Sequence, residues 1–372
     1  MKILGIGNAI VDVICKVDDQ YLIDNQLTKS TMKLVDETEF QKLLSTLKIE
    51  QTISGGSVAN SIVGLSQLGN DVGFIGKVNA DDLGEKYEEG LTKEKVQYFY
   101  NKKKEILSTL KIEQTISGGS VANSIVGLSQ LGNDVGFIGK VNDDDLGQKY
   151  EEGLTKEKVQ YLYNKKKETS PTGTCLILIT PDAERTMVTF LGIAGKINQN
   201  DINEKAIQES EMIFLEGYLW DEGDPKSAFE KAMSLSNTKA MSLSDQFCVE
   251  RHKGNFLDLV KNKLDITFAN EQEIKSLINA KSFEDVITFG KQLGKLLVIT
   301  RGEKGSLAIK NNEVTECKSE SNLKIVDLTG AGDLFAAGFL HGFINTFSTK
   351  HSLEKGTKMS SKIIQKVGAR LD

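Results

Sequence analysis

The chain has 372 residues, 39% of them hydrophobic and 26% charged, and its 46 basic and 52 acidic side chains give a net charge of −6. That length suits a large α/β domain with an appendage, and the dispersed, slightly acidic balance argues against a nucleic-acid-binding face. Four scattered cysteines form no CxxC, three histidines show no metal-ligand spacing, and no run reaches the roughly 18 apolar residues of a membrane span, so a reducing, cytoplasmic setting is expected.

Taken in chain order, "MKILGIGNAIVDVICKV" reads as a first strand over residues 3–7, because Asn8 and Asp12 interrupt the apolar run a signal peptide would need. A helix is expected over 36–47. Residues 43–105 and 106–168 are then tandem copies of 63 residues, differing only at Leu43/Ile106, Ala80/Asp143, Glu85/Gln148 and Phe99/Leu162. Two near-identical copies point to a duplication and not to a solenoid. Each copy reads as a glycine turn and helix ("SGGSVANSIVGLSQLG"), a short buried strand ("DVGFIGKV") and a polar helix. One copy can fill a slot in a sheet, and the sequence does not say which. A smaller echo, "KAMSLSNT" followed by "KAMSLSD", spans 231–245. Beyond the repeat, strands are expected at 173–180, 212–216, 265–268, 296–300 and 306–310, and helices at 225–234, 271–278, 283–293 and 333–346. This alternation predicts a mostly parallel sheet covered on both faces. Residues 16–35 and about 157–175 are expected to form a small strand-built lid on a single domain spanning 1–372.

Three stretches can carry chemistry. "LKIVDLTGAGD" reads as strand, tight glycine loop and helix start, where bare backbone N–H groups at Gly330, Ala331 and Gly332 can cradle an anion. Asp333 at its mouth can accept a proton from an attacking alcohol; the alternative is a packing turn with Asp333 as helix cap. In "FANEQEI", Asn270 and Glu273 can aim an amide and a carboxylate at hydrated Mg²⁺ and phosphate, or simply form a capping box. "VITRGEKGSLAI" places Thr300, Arg301, Gly302 and Gly305 where a nucleotide could lie, or in a plain hairpin. The dinucleotide fingerprint, the phosphate loop GxxxxGK[ST], GxSxG and HExxH are all missing.

Together and in this order, "GNAIVD", "SGGSVAN", "NEQE", "TRGEKG" and "DLTGAGD" resemble the ribokinase-like (PfkB) carbohydrate kinases, the flanking sequence being most similar to bacterial adenosine kinases. The resemblance runs from Met1 to about Arg370. It implies a doubly wound, mostly parallel α/β sheet with a β lid, and phosphorylation of the primary alcohol of a nucleoside or sugar by ATP with Mg²⁺, often with K⁺. It also implies Asp333 as base, Gly330, Ala331 and Gly332 as anion hole, and Asn270 and Glu273 in the Mg²⁺–phosphate network. Thr300, Arg301, Gly302 and Gly305 would border ATP. Asp12 would hold the substrate's hydroxyls, with Gly55, Gly56 and Asn60, or their twins Gly118, Gly119 and Asn123, closing that pocket. Adenosine is the expected substrate, ahead of ribose or fructose; a non-catalytic nucleoside binder is the contrasting reading. A monomer or homodimer is expected, with no nucleic-acid or membrane partner. One departure lies near the C-terminus, where Thr357 and Lys358 stand in place of the family's usual Asn.

Overall fold

Among the described residues, a nine-stranded sheet runs through the larger part of the chain, in the order Glu313–Cys317, Ser306–Lys310, Leu296–Thr300, Ile266–Asn270, Lys239–Ser242, Met212–Glu216, Ile3–Ile6, Val135–Ile138, Gln160–Tyr161. The computed structural model describes residues 2–6, 10–46, 73–75, 97–99, 114–182, 185–220, 223–366 and 368–371. Two compact units divide the chain: Met1–Glu37 with Glu113–Asp372, and Thr38–Ile112. Gly55, Gly56 and Asn60 lie outside the described residues.

The strands of the large sheet, numbered in chain order with those below, are β1 (Ile3–Ile6), β7 (Val135–Ile138), β8 (Gln160–Tyr161), β11 (Met212–Glu216), β12 (Lys239–Ser242), β13 (Ile266–Asn270), β14 (Leu296–Thr300), β15 (Ser306–Lys310) and β16 (Glu313–Cys317). Pairing is parallel from β8 to β14 and antiparallel only at β14–β15 and β15–β16. Side chains alternate between two cores. Leu4, Ile213, Leu215, Leu297 and Ile299 face one, with Phe229, Val249 and Ile274 from helices. Ile3, Met212, Phe214, Leu296 and Val298 face the other, with Ile125, Phe339 and Leu340. Such strands are apolar at every position because both faces are covered, which is why they were readable as short continuous apolar runs.

A second sheet has the order β3-β10-β9-β2-β6, from Met32–Leu34, Arg185–Phe190, Gly173–Ile179, Ile10–Lys16 and Gln114–Gly118. The opening apolar run therefore supplies two strands to two sheets, β1 and β2, where one was expected. Residues 160–161 join the edge of the large sheet, so between 157 and 175 only the segment from Gly173 enters the second sheet. In the other unit, β4 (Gly73–Ile75) pairs in parallel with β5 (Gln97–Phe99).

The expected helices appear at Glu37–Thr46, Ser120–Gln130, Asp145–Lys156, Asp224–Leu235, Glu271–Ile278, Phe283–Leu293 and Ala331–Ile344. A further one, Thr349–Ile363, packs against the Ala331–Ile344 helix.

Candidate active site

β1 lies inside the large sheet, and the chain winds outward from it in both directions, through β7 to β8 and through β11 to β16. Crevices at such a reversal form beyond the carboxyl ends of the strands. A cavity of about 400 Å³ lies there, and its lining includes Glu216, Ser242, Asn270 and Thr300, the last residues of β11, β12, β13 and β14.

The GAGD loop forms one wall. Gly330 caps the Ala331–Ile344 helix with φ +77°, and a Cβ there would lie 2.7 Å from the Ala369 Cβ, so only glycine fits. A Cβ on Gly332 would meet nothing within 4 Å, and Gly332 lines the cavity. Packing explains the first glycine; the second leaves backbone bare towards open space. Asp327, fully buried, ties the loop down by accepting from the Thr329 amide (2.8 Å), the Thr329 hydroxyl (2.7 Å) and the Gly368 amide (2.7 Å). The helix cap is thus Gly330, and Asp333 stands in the first turn.

The Asp333 carboxylate accepts from Ser120 Oγ at 2.6 Å and from Asn123 Nδ2 at 2.9 Å, while Ser124 Oγ donates to its backbone carbonyl at 2.9 Å. All three donors sit in the first turns of the Ser120–Gln130 helix, which Gly119 opens with φ +98°. Asn123 Oδ1 is buried without a hydrogen-bond partner. Arg370 braces the same loop by donating to the carbonyls of Ala122 and Ser117.

Asn270 and Glu273 form a reciprocal capping box, and both line the cavity. Asn270 Nδ2 donates to Glu273 Oε1 at 2.6 Å and the Asn270 amide to Oε2 at 2.9 Å. Burial pushes the Glu273 carboxyl up to about 7 despite those bonds. Among the described residues, no group of three or more His, Cys, Asp or Glu side chains is placed to chelate a metal.

The structure brings Gly119, Asn123, Asn270, Glu273, Thr300, Gly330, Ala331, Gly332 and Asp333 to one cavity. Four expected residues are not among its lining: Gly118, Arg301, Gly302 and Gly305. Arg301 donates to Glu271 at 3.0 Å and stacks 3.7 Å from the Phe283 ring centre. Gly302 and Gly305 shape the β14–β15 turn with φ +56° and +85°. Asp12 pairs through its backbone with Ile116 and Cys175 in β2, and its side chain lies outside the described residues.

Other lining residues carry no motif. Met32, Leu34, Cys175, Ile177, Met187 and Leu191 give a largely apolar wall from the second sheet and its margin. Their signal was strand alternation, every second residue facing the cavity (175 and 177, 187 and 189), which marks a face and not a role. Glu216, 1% exposed, accepts from the Val121 amide at 3.1 Å.

The pfkB family carbohydrate kinase profile matches residues 30–115 and again 112–372. A 5-dehydro-2-deoxygluconokinase of Clostridium botulinum (strain Eklund 17B / Type B) is 26% identical over 280 residues, covering 69% of this chain and 81% of that protein. Among solved structures, a probable sugar kinase from Rhizobium etli CFN 42 matches with TM-score 0.79 and 29% identity, over 99% of this chain and 94% of the other. The adenosine kinase from Sinorhizobium meliloti matches with TM-score 0.79 and 27% identity, over 100% and 95%.

Proposed function

The chain belongs to the pfkB family of carbohydrate kinases, as an ATP-dependent sugar or nucleoside kinase, and on that premise we propose that it phosphorylates the primary hydroxyl of a nucleoside, adenosine to AMP. The observation that carries this reading is one cavity lined both by Asp333 with the Gly330–Gly332 loop and by apolar side chains of the second sheet. A planar base gains by burial against Met32, Ile177 and Met187, whereas a free sugar has little apolar surface to place there.

In this reading Asp333 takes the proton of the attacking hydroxyl, and the amides of Gly330 and Gly332 face the charge that develops on the transferred phosphoryl group, while the Ala331 amide donates to the Leu328 carbonyl. Asn123, whose buried Oδ1 has no partner, gains one from a substrate hydroxyl; Asp12 and Gly119 complete that pocket. Asn270 and Glu273 would hold hydrated Mg²⁺, which supplies charge neutralisation for the phosphates of ATP. Thr300 borders the nucleotide.

A second reading rests on Arg251, which lines the same cavity. Its guanidinium could meet the carboxylate of a sugar acid, in keeping with the name of the Clostridium relative.

ATP turnover with adenosine, ribose, fructose and 5-dehydro-2-deoxygluconate separates the two. Adenosine should give the highest kcat/KM, and preference for the sugar acid would replace the first reading with the second. Asp333→Asn should lower kcat on the order of 10²–10⁴-fold with ATP binding and Tm nearly unchanged. A variant with near-normal kcat would remove Asp333 from the chemistry.

A further inference from the structure

The two copies of the duplicated segment are almost the same sequence, yet the described contacts of the site come from one of them. We propose that the second copy, residues 106–168, alone completes the catalytic centre, with Ser120 as a positioning residue for Asp333 and its twin Ser57 without that role. The positioning half rests on the kinase reading above; the choice of copy does not.

The argument begins with strand edges. A strand has two, and each pairs with one neighbour. β1 is paired with β11 on one side and with β7 of the second copy on the other. β2 is paired with β9 and with β6 of the second copy. No edge remains on β1 or β2 for a strand of the first copy. β4 and β5 of that copy pair with each other. Gly73 pairs with Gln97 in β4–β5, the register that Gly136 and Gln160 adopt in β7–β8, and the β4–β5 sheet has two strands. The pairing of β7 with β8 is thus written within the repeat, but the slot beside β1 is a single place.

The helix that follows β6 fits its place equally closely. A Cβ on Gly127 would lie 2.8 Å from Leu334 Cδ1 and 2.9 Å from Ala337 Cβ, so the Ser120–Gln130 helix packs backbone-close against the Ala331–Ile344 helix. That approach brings Ser120 Oγ to 2.6 Å from Asp333 Oδ1 and Asn123 Nδ2 to 2.9 Å from Oδ2. A donor at each carboxylate oxygen restrains the rotation of the group and so the direction in which it meets a substrate hydroxyl. Ser124 holds the Asp333 carbonyl from the same helix. Ser120 Oγ bonds to the proposed base, so its contribution belongs in kcat.

Deletions cannot distinguish the copies, since removing either leaves nearly the same chain. Point substitutions in the full-length protein can. Ser120→Ala should lower kcat about 10-fold, as expected when a charge-assisted hydrogen bond is lost, with KM for ATP and Tm within error. Ser120→Thr, which restores a hydroxyl, should recover most of the rate. Ser57→Ala should match the wild type. Activity-independent support comes from a second pair: Gly127→Val should lower Tm by several degrees, and Gly64→Val, its twin, should leave Tm within a degree. Equal losses for Ser57→Ala and Ser120→Ala, or equal Tm losses for Gly64→Val and Gly127→Val, would overturn the assignment of the copy. Full kcat in Ser120→Ala while Asp333→Asn is inactive would overturn the positioning role and leave the kinase reading standing. An active Asp333→Asn would instead strike the kinase reading itself, with the glycine pair still deciding between the copies.

Discussion

Glu271 and Glu273 stand two residues apart in one helix and live in opposite environments. Glu273 is buried and its carboxyl is pushed up to about 7. Glu271 is held down to about 2 by hydrogen bonds from Lys275 and then Arg301, at 2.6 and 3.0 Å. A depressed carboxylate stabilises the fold above its ordinary value near 4.5, and that contribution is lost as pH falls towards 2. With the side chain 17% exposed, screening leaves about 1 kcal/mol of it. Glu271→Gln should therefore unfold at lower urea than the wild type at pH 7, and the two midpoints should draw together as pH falls from 4.5 and converge only near 2. A difference that stays constant with pH would mean that packing, not charge, is what the substitution removes. The glutamates also show what a motif leaves unread. NxxE spacing pointed to Asn270 and Glu273, and both reached the cavity, but TRGEKG gave no sign that Arg301 would turn to Glu271 and Phe283. Partners across 30 residues of sequence are set by how β13 and β14 pair, which no local pattern encodes.

At the scale of elements, the echo at 231–245 shows where local sequence stops deciding. The residues Lys-Ala-Met-Ser at 231–234 lie in the Asp224–Leu235 helix, and the same four at 239–242 form β12. Pro225 in the first turn starts the helix, whereas β12 is a strand because β11 and β13 pair with both its edges. Tertiary context overrides propensity in segments this short. Long apolar runs such as Leu296–Thr300 were legible because burial on both faces leaves no ambiguity. The Thr349–Ile363 helix was not, since Gly356 and four lysines dilute its apolar stripe. Its glycine has a packing purpose. A Cβ on Gly338 would lie 2.6 Å from the Lys355 carbonyl and 2.7 Å from Gly356 Cα, and one on Gly356 would lie 2.8 Å from the Phe335 carbonyl. Helix propensity alone favours Gly338→Ala by roughly 1 kcal/mol, but overpacking costs roughly 1–3 kcal/mol and here the obstacle is backbone. The net expectation is a loss of about 1–2 kcal/mol in urea unfolding. Gly254→Ala, with nothing within 4 Å of the added Cβ, should be neutral or stabilising. Equal stability for the two variants would show that the crossing of the helices has room the packing denies.

At the scale of the whole molecule, the alternation of strands and helices announced a doubly wound sheet, and the repeat announced that one segment too many was present. What the sequence could not supply was the number of open edges on β1 and β2, because that number depends on every other strand in the fold. With those edges filled by β7 and β6, no strand of residues 43–105 can pair with β1 or β2 in the same way. Their removal joins Lys42 to Ile106 and turns "QKLLSTLK" into "QKILSTLK", a change of one branched aliphatic residue for another. The strand pairs of the nine- and five-stranded sheets, both large cores and the described lining of the Asp333 cavity are drawn from residues the deletion retains. The shortened chain should therefore be soluble, with Tm equal to or above that of the full chain and kcat for the preferred substrate within about twofold, since a two-stranded sheet such as β4–β5 adds little independent stability. Thermal unfolding and ATP turnover measured side by side decide it. An insoluble product, or one that folds but turns over tenfold more slowly, would mean that the first copy supports the site in some way other than strand pairing.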